Sequence, residues 1–163
     1  MPRSSFSIEE VLSLLAETPT RIAALTDGLT PAQVRTAPGP DEWSANDVLA
    51  HLRSCADMWD GYMMTILAED RPTIRVVNPR AWIKQTDYLE LEFSPSLRAF
   101  TTQRAALLAI LEPLPQEGWA RTATVTGAGS PLQKTVLDYA ERMARHERPH
   151  IRQIERIVNT RRA

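Results

Sequence analysis

Four long segments of the chain carry apolar residues at the 3.6-residue spacing of an amphipathic helix, and this pattern constrains the fold most strongly. The first segment begins after Ser7, where Glu10 completes a capping box, and it ends near Gly28. The second begins after Ser44, with Asp47 in the first turn, where a negative charge favours a helix start. Both segments therefore have the start signals of long helices.

Proline residues mark the other two predicted helices. The third runs from about Ser96 to Pro113, and the fourth begins at Ser130-Pro131, a capping residue followed by proline at the first helical position. Proline also interrupts two of the patterns. Pro19 predicts a kink or a break in the first helix, and Pro149 predicts a kink, bulge or unwound turn in the fourth.

The connecting segments are shorter and less regular. Residues 30–33 predict a short helix, residues 71–95 a loop or short helix folded over the bundle, and residues 122–126 a brief strand or extended loop. No repeated strand pattern occurs. We therefore predict an all-α fold, a four-helix bundle with a short extra helix or irregular connections, in one domain over residues 1–163.

Charge and cysteine content exclude several classes of function. Lys and Arg total 19 against 20 for Asp and Glu, which gives no basic surface for nucleic acid or anionic membranes. The single cysteine fits a reducing compartment, residues 1–6 lack the apolar stretch of a secretory signal, and no apolar run is long enough for a membrane span. We expect a cytoplasmic protein without nucleic-acid or membrane partners.

The chain has three histidines, and their positions suggest a metal site. His146 and His150 stand four residues apart, so a helix projects both from one face. His51 lies on the apolar face of the second helix and is expected to point toward the core. Buried imidazoles need partners, and three nitrogens with an open position are how catalytic zinc is usually held. The alternative left open is three core histidines satisfied by hydrogen bonds.

Residues 146–150 also match two known motifs, neither of them well. They spell H-E-x-x-H, in which Glu147 would be the general base of a metalloprotease. However, only 13 residues follow His150, and position 156 is Arg where an extended motif needs His. A di-iron site would need a second Glu-x-x-His, yet Val48 precedes His51 at that spacing. We expect Glu147 to be a solvated flank of the helix.

Cys55 follows His51 by one helical turn on the same face. A buried cysteine usually behaves as a small apolar core residue, and this is the expected role. The alternative is a fourth, thiolate ligand, which would close the coordination shell and make the metal structural.

Several segments together resemble the DinB/YfiT-like family of small four-helix proteins. They are Glu42-Trp43-Ser44 with residues 48–52, residues 104–108 and 118–121, residues 127–131, and the final helix with His146, His150 and Ile154. The resemblance implies that His51, His146 and His150 bind one divalent metal, commonly zinc, nickel or iron, and that the protein forms a homodimer.

The resemblance also implies a class of reaction. Some relatives are thiol S-transferases or isomerases that use a low-molecular-weight thiol such as mycothiol or bacillithiol. A divalent metal acidifies a bound water, which gives hydrolysis, or deprotonates a bound thiol, which gives transfer. We expect a metal-dependent S-transferase or hydrolase acting on a small electrophilic substrate. The alternative is a non-catalytic bundle that binds a ligand or protein, with a structural metal or none.

Overall fold

The computed structural model describes residues 5–162, with only the backbone of Arg162. Residues 1–4 and 163, the ends of the predicted domain and most of the segment tested for a secretory signal, lie outside the described residues. The elements are, in chain order, α1 (Ile8–Thr26), α2 (Pro31–Arg35), α3 (Ala45–Ala68), β1 (Thr73–Arg75), α4 (Pro79–Ile83), α5 (Phe93–Leu111), α6 (Gln116–Trp119), β2 (Thr122–Thr126), β3 (Leu132–Thr135) and α7 (Val136–Arg162).

The four long helices pack as a bundle, as predicted. Helix α7 lies against α1 and α3, and α5 lies against the same two helices, so the four enclose one core. The largest side chains in that core are contributed by all four helices and include Leu15, Leu52, Phe100, Met143 and Ile154. Burial of these apolar faces is what holds helices of this length together.

The helix starts predicted from local signals are confirmed. Ser7, Thr30 and Ser44 each accept a hydrogen bond from the backbone N–H three residues on, and each capping box is complete. Helix α1 continues through Pro19, and α7 continues through Pro149. The spacing of the two histidines on α7 is therefore kept in one helix.

The start of the fourth long helix was predicted wrongly. Ser130-Pro131 lies in a turn, and α7 begins at Val136. The residues between form β3, which pairs with β2. Thr135 is the residue that caps the helix, because its hydroxyl accepts from the N–H of Asp138 and its own N–H donates to the Asp138 carboxylate.

The segment before the third long helix contains the predicted short helix and, in addition, a strand that the sequence did not indicate. Residues 71–95 contain β1 and α4, and α5 begins at Phe93, three residues before the predicted Ser96. Pro95 is accommodated because it lies in the first turn of α5, where its missing N–H would have no helical partner.

A three-stranded sheet in the order β1-β2-β3 is attached to the bundle. Strand β1 runs parallel to β2, with Thr73 opposite Thr124, and β3 runs antiparallel to β2, with Thr122 opposite Thr135. Gly127 and Gly129 make the hairpin turn with φ of 96° and 80°, values that favour glycine. Only β2 was anticipated from the sequence. Across residues 5–162, no helix has the length and apolar composition that a membrane crossing needs.

Candidate metal centre

The three histidines meet between α3 and α7. Their ring centroids form a nearly equilateral triangle, with separations of 4.9 Å for His51 and His146, 4.8 Å for His51 and His150, and 4.7 Å for His146 and His150. The ring planes are inclined to one another by 56°, 64° and 63°. The helical spacing of four residues on α7 and the long-range packing of α3 thus bring all three predicted side chains together.

Two nitrogen atoms of this triangle, one from His51 and one from His146, are close enough to share a partner. Nε2 of His51 lies 3.0 Å from Nε2 of His146. Two nitrogens bound to one tetrahedral zinc ion at its usual bond length would lie about 3.3 Å apart. Nδ1 of His150 lies 2.8 Å from Oε1 of Gln153. Because an amide oxygen only accepts, this contact places the proton on Nδ1 and leaves the lone pair on Nε2.

The surroundings keep the imidazoles of His51 and His146 neutral. Burial, with a smaller contribution from His150, lowers the pKa of His51 to about 4. The pKa of His146 is lowered to about 3, mainly by burial and further by the charges of His150, His51 and Arg142. A neutral imidazole is the form that binds metal. Nδ1 of His146 is buried without a hydrogen-bond partner among the described residues.

Cys55 lies beside the triad and is buried, as predicted. Its Sγ is 3.8 Å from Nε2 of His51, and ligand atoms of His51, Cys55 and His146 all lie within 4.8 Å of one another. Burial raises the pKa of the Cys55 thiol to about 11. Imidazole nitrogens near a thiol suit a divalent transition metal such as zinc, nickel or iron, whereas Mg²⁺ and Ca²⁺ prefer oxygen ligands. The residues present therefore fit the predicted class of metal.

Two tryptophans hold the imidazole rings in place. The Trp43 ring is nearly parallel to that of His150, inclined by 9° with the centroids 6.3 Å apart, and lies 5.2 Å from that of His51. Trp59 meets His146 edge to face at 4.9 Å. These contacts limit the rotamers available to all three histidines.

An open cavity of about 530 Å³ reaches His150, one of the three histidines, from solvent. His150 and Trp43 form part of its wall, and Gln153 and Arg156 extend it along α7. All three histidines are half-buried, so the site lies at the edge of the core and not within it. A cavity of this volume is in the range that accommodates small molecules.

The prediction for Glu147 was wrong, because its side chain is only 2% exposed. Both oxygens accept hydrogen bonds from Arg104, which is equally buried, and Oε1 also accepts one from Thr18 Oγ1 at 2.8 Å. A solvated flank was expected because charged residues are seldom buried unless paired, and the partner is 43 positions away. With both oxygens occupied, Glu147 is not placed to act as a base at the triad.

The sequence does contain a signal for this buried pair. Glu147 lies four residues after Met143 and four before Ile151, both buried, so helical spacing places it on the apolar stripe of α7. Arg104 likewise follows buried Phe100 by four residues on α5. A charged residue centred on an apolar stripe indicates a buried partner on a facing helix.

Known proteins with similar sequence or structure include two bacterial relatives. The chain is 24% identical over 132 residues to "Putative metal-dependent hydrolase GK0616" of Geobacillus kaustophilus (strain HTA426), which covers 80% of this chain and 73% of the relative. The structure of YfiT from Bacillus subtilis, described as "a probable metal-dependent hydrolase with an unusual four-helix bundle topology", superimposes with a TM-score of 0.80. The two chains share 22% sequence identity, and the superposition covers 98% of this chain and 91% of the YfiT chain. The second likeness supports the bundle fold.

The family assignment rests on a match along most of the chain. The model of the DinB superfamily matches residues 14–154, which include all of α3 and α5, most of α1 and α7, and all three histidines. This confirms the resemblance seen in the sequence, and the chain belongs to the DinB superfamily.

Proposed function

We propose that this protein is a metal-dependent enzyme that acts on a small electrophilic molecule, with His51, His146 and His150 holding one divalent ion. The observation that carries the proposal is the nearly equilateral triangle of imidazole rings, with two Nε2 atoms 3.0 Å apart. Three neutral imidazoles leave the full charge of the ion uncompensated, as at catalytic zinc sites.

The residues around the triad have separate roles in this proposal. When bound, a divalent ion would supply Lewis-acid chemistry that acidifies a water or thiol reaching it. Gln153 fixes the tautomer of His150, and Trp43 restricts its ring. The cavity beside His150 and Trp43 admits the substrate from solvent.

The reaction class is either hydrolysis or thiol transfer. Hydrolysis is supported by the name of the Geobacillus kaustophilus relative, a metal-dependent hydrolase. Transfer of a low-molecular-weight thiol needs room for two molecules, and the open cavity of about 530 Å³ beside His150 would supply it. Zinc, nickel and iron all suit an imidazole donor set. A homodimer and the absence of nucleic-acid or membrane partners stay predictions.

A second candidate function is a non-catalytic bundle with a structural metal. The observation that favours it is the position of Cys55, whose Sγ lies 3.8 Å from Nε2 of His51. Nitrogen and sulfur ligands of one tetrahedral zinc ion lie about 3.6 Å apart, so a small shift would bring the thiolate into the shell. A shell closed by Cys55 would leave no position for a substrate.

Spectroscopy of the cobalt-substituted protein separates the two candidates. For an open site, azide or a small thiol shifts the visible bands, and Cys55→Ser leaves the spectrum of the azide-free protein unchanged. For a closed site, azide has no effect, and Cys55→Ser removes a thiolate-to-cobalt charge-transfer band. Substrate screening with esters, amides and electrophile–thiol pairs then follows for the open site, with His146→Ala as the control.

A further inference from the structure

We propose that the buried Arg104–Glu147 ion pair, together with Thr18, positions His146 and His150 for metal binding. This inference rests on the proposed function, since it concerns the ligands of the same site. Glu147 is adjacent to His146 in the chain, yet its carboxylate contacts α1 and α5 and not the triad. It therefore acts on the site only through the helix that carries both residues.

The ion pair connects three helices at the level of the triad. Glu147 on α7 accepts from Arg104 on α5, at 2.9 Å for one of the two bonds, and from Thr18 on α1. Arg104 also donates to the backbone oxygen of Leu15 on α1 at 2.8 Å and to Met143 Sδ on α7 at 3.4 Å. All of these groups are buried, so solvent does not compete for their hydrogen bonds.

Such a connection fixes the rotation of α7 about its axis. At 3.6 residues per turn, the direction of Glu147 is about 80° from the mean direction of the two histidines. A rotation of about 10° would move an imidazole nitrogen, roughly 6 Å from the axis, by about 1 Å. Metal–ligand distances tolerate deviations of only about 0.2 Å. Metal binding therefore needs a much more precise rotation of α7 than the burial of its apolar face does.

Pro149 makes this support more important. It lies between the two histidines and has no backbone N–H, so α7 lacks one of its own hydrogen bonds at this turn. The nearest buried residue before Pro149 in the chain is Glu147, two residues earlier. The carboxylate thus anchors the turn that the proline weakens.

An apolar replacement of the whole pair separates positioning from stability. The double variant Arg104→Met/Glu147→Leu leaves no unpaired buried charge, and such replacements commonly fold with undiminished stability. We expect it to be folded and to unfold at a denaturant concentration near that of the wild type. We also expect cobalt to bind about tenfold more weakly or worse, with altered visible bands, as for other residues that orient metal ligands.

Two further variants keep the test decisive. Thr18→Val keeps the shape of the side chain and removes one hydrogen bond to Glu147, so we expect a smaller loss of cobalt affinity in a folded protein. Leu111→Ala, a cavity variant at a fully buried site on α5, is the stability control and should bind cobalt with unchanged bands. If the double variant does not fold, the comparison of Thr18→Val with Leu111→Ala decides.

Wild-type affinity and bands in both the double variant and Thr18→Val would overturn the positioning role. Equal losses in Leu111→Ala would do the same, because the effect would then follow stability alone. If wild-type protein itself takes up no cobalt, the proposed function fails together with this inference. If the wild type binds and the variants bind equally well, only this inference fails.

Discussion

His146 and Glu147 are neighbours in the chain, yet their side chains contact different helices of the bundle. The imidazole approaches His51 on α3, with the two Nε2 atoms 3.0 Å apart, and the carboxylate pairs with Arg104 on α5 in the core. The H-E-x-x-H sequence therefore does not describe a protease site in this protein. Its two histidines belong to the candidate metal centre and its glutamate to the bundle interior.

The buried ion pair predicts a large difference between single and double replacement. Glu147→Gln leaves the Arg104 guanidinium buried without its anion, so we expect the free energy of unfolding to fall by about 3–5 kcal/mol. Arg104→Met/Glu147→Leu removes both charges and should cost much less. Urea unfolding of the metal-free proteins measures both values. A Glu147→Gln variant as stable as the wild type would show that removing the partner of Arg104 does not destabilise the fold.

Asp60 predicts a dependence of stability on pH. Burial raises the pKa of Asp60 from 3.8 to about 7, with Glu147 and Asp57 adding to the shift and Arg104 opposing it. Its Oδ1 is buried without a hydrogen-bond partner among the described residues. Because the folded state holds the proton more tightly, this contribution to stability is complete below about pH 4 and is lost as the pH rises through about 7.

The variant Asp60→Asn resembles the protonated carboxyl at every pH and provides the measurement. We expect Asp60→Asn to gain stability relative to the wild type between pH 5 and pH 8, because the unfolded wild type has released the proton that its folded state still holds up to about pH 7. The free energy of unfolding of both proteins, metal-free, is compared at the two pH values. A difference that stays constant with pH would contradict the shifted pKa.

Gln153 is expected to affect metal affinity through His150, although Gln153 itself does not bind the metal. Its Oε1 accepts from Nδ1 of His150 and so fixes which nitrogen carries the lone pair. We expect Gln153→Ala to weaken zinc binding about tenfold or more, and Gln153→Glu, which keeps the acceptor, to weaken it less. Competition with a chromophoric chelator gives the dissociation constants. Equal affinities in all three proteins would remove Gln153 from the account.

The parts of the fold that sequence predicted well are those specified by neighbouring residues. Ser7, Thr30 and Ser44 begin their helices because each capping box needs only residues three positions apart. Ser130-Pro131 offered an equally good local signal and was misleading. Pairing of β3 with β2 pulls these residues out of the helix, and the competing cap at Thr135 takes over.

The candidate site likewise has one part that is set by local spacing along a helix and another that depends on long-range packing. The pairing of His146 with His150 follows from helical spacing. Their approach to His51 depends on the packing of α7 against α3, and His51 and His146 are 95 positions apart in the chain. The Arg104–Glu147 pair spans the core between α5 and α7, which both pack against α1 and α3, and residue type alone argued for an exposed glutamate. Only the position of Glu147 on an apolar stripe pointed the other way.

The metal content of reconstituted protein shows whether His51, His146 and His150 together bind one ion. Protein stripped with a chelator is loaded with excess zinc, desalted and analysed for zinc per chain by atomic emission, beside His51→Ala, His146→Ala, His150→Ala and Cys55→Ala. We expect about one zinc per chain in the wild type and in Cys55→Ala, and almost none in each histidine variant, all of them folded by circular dichroism. Wild-type protein without zinc, or a histidine variant that retains the full amount, would contradict it.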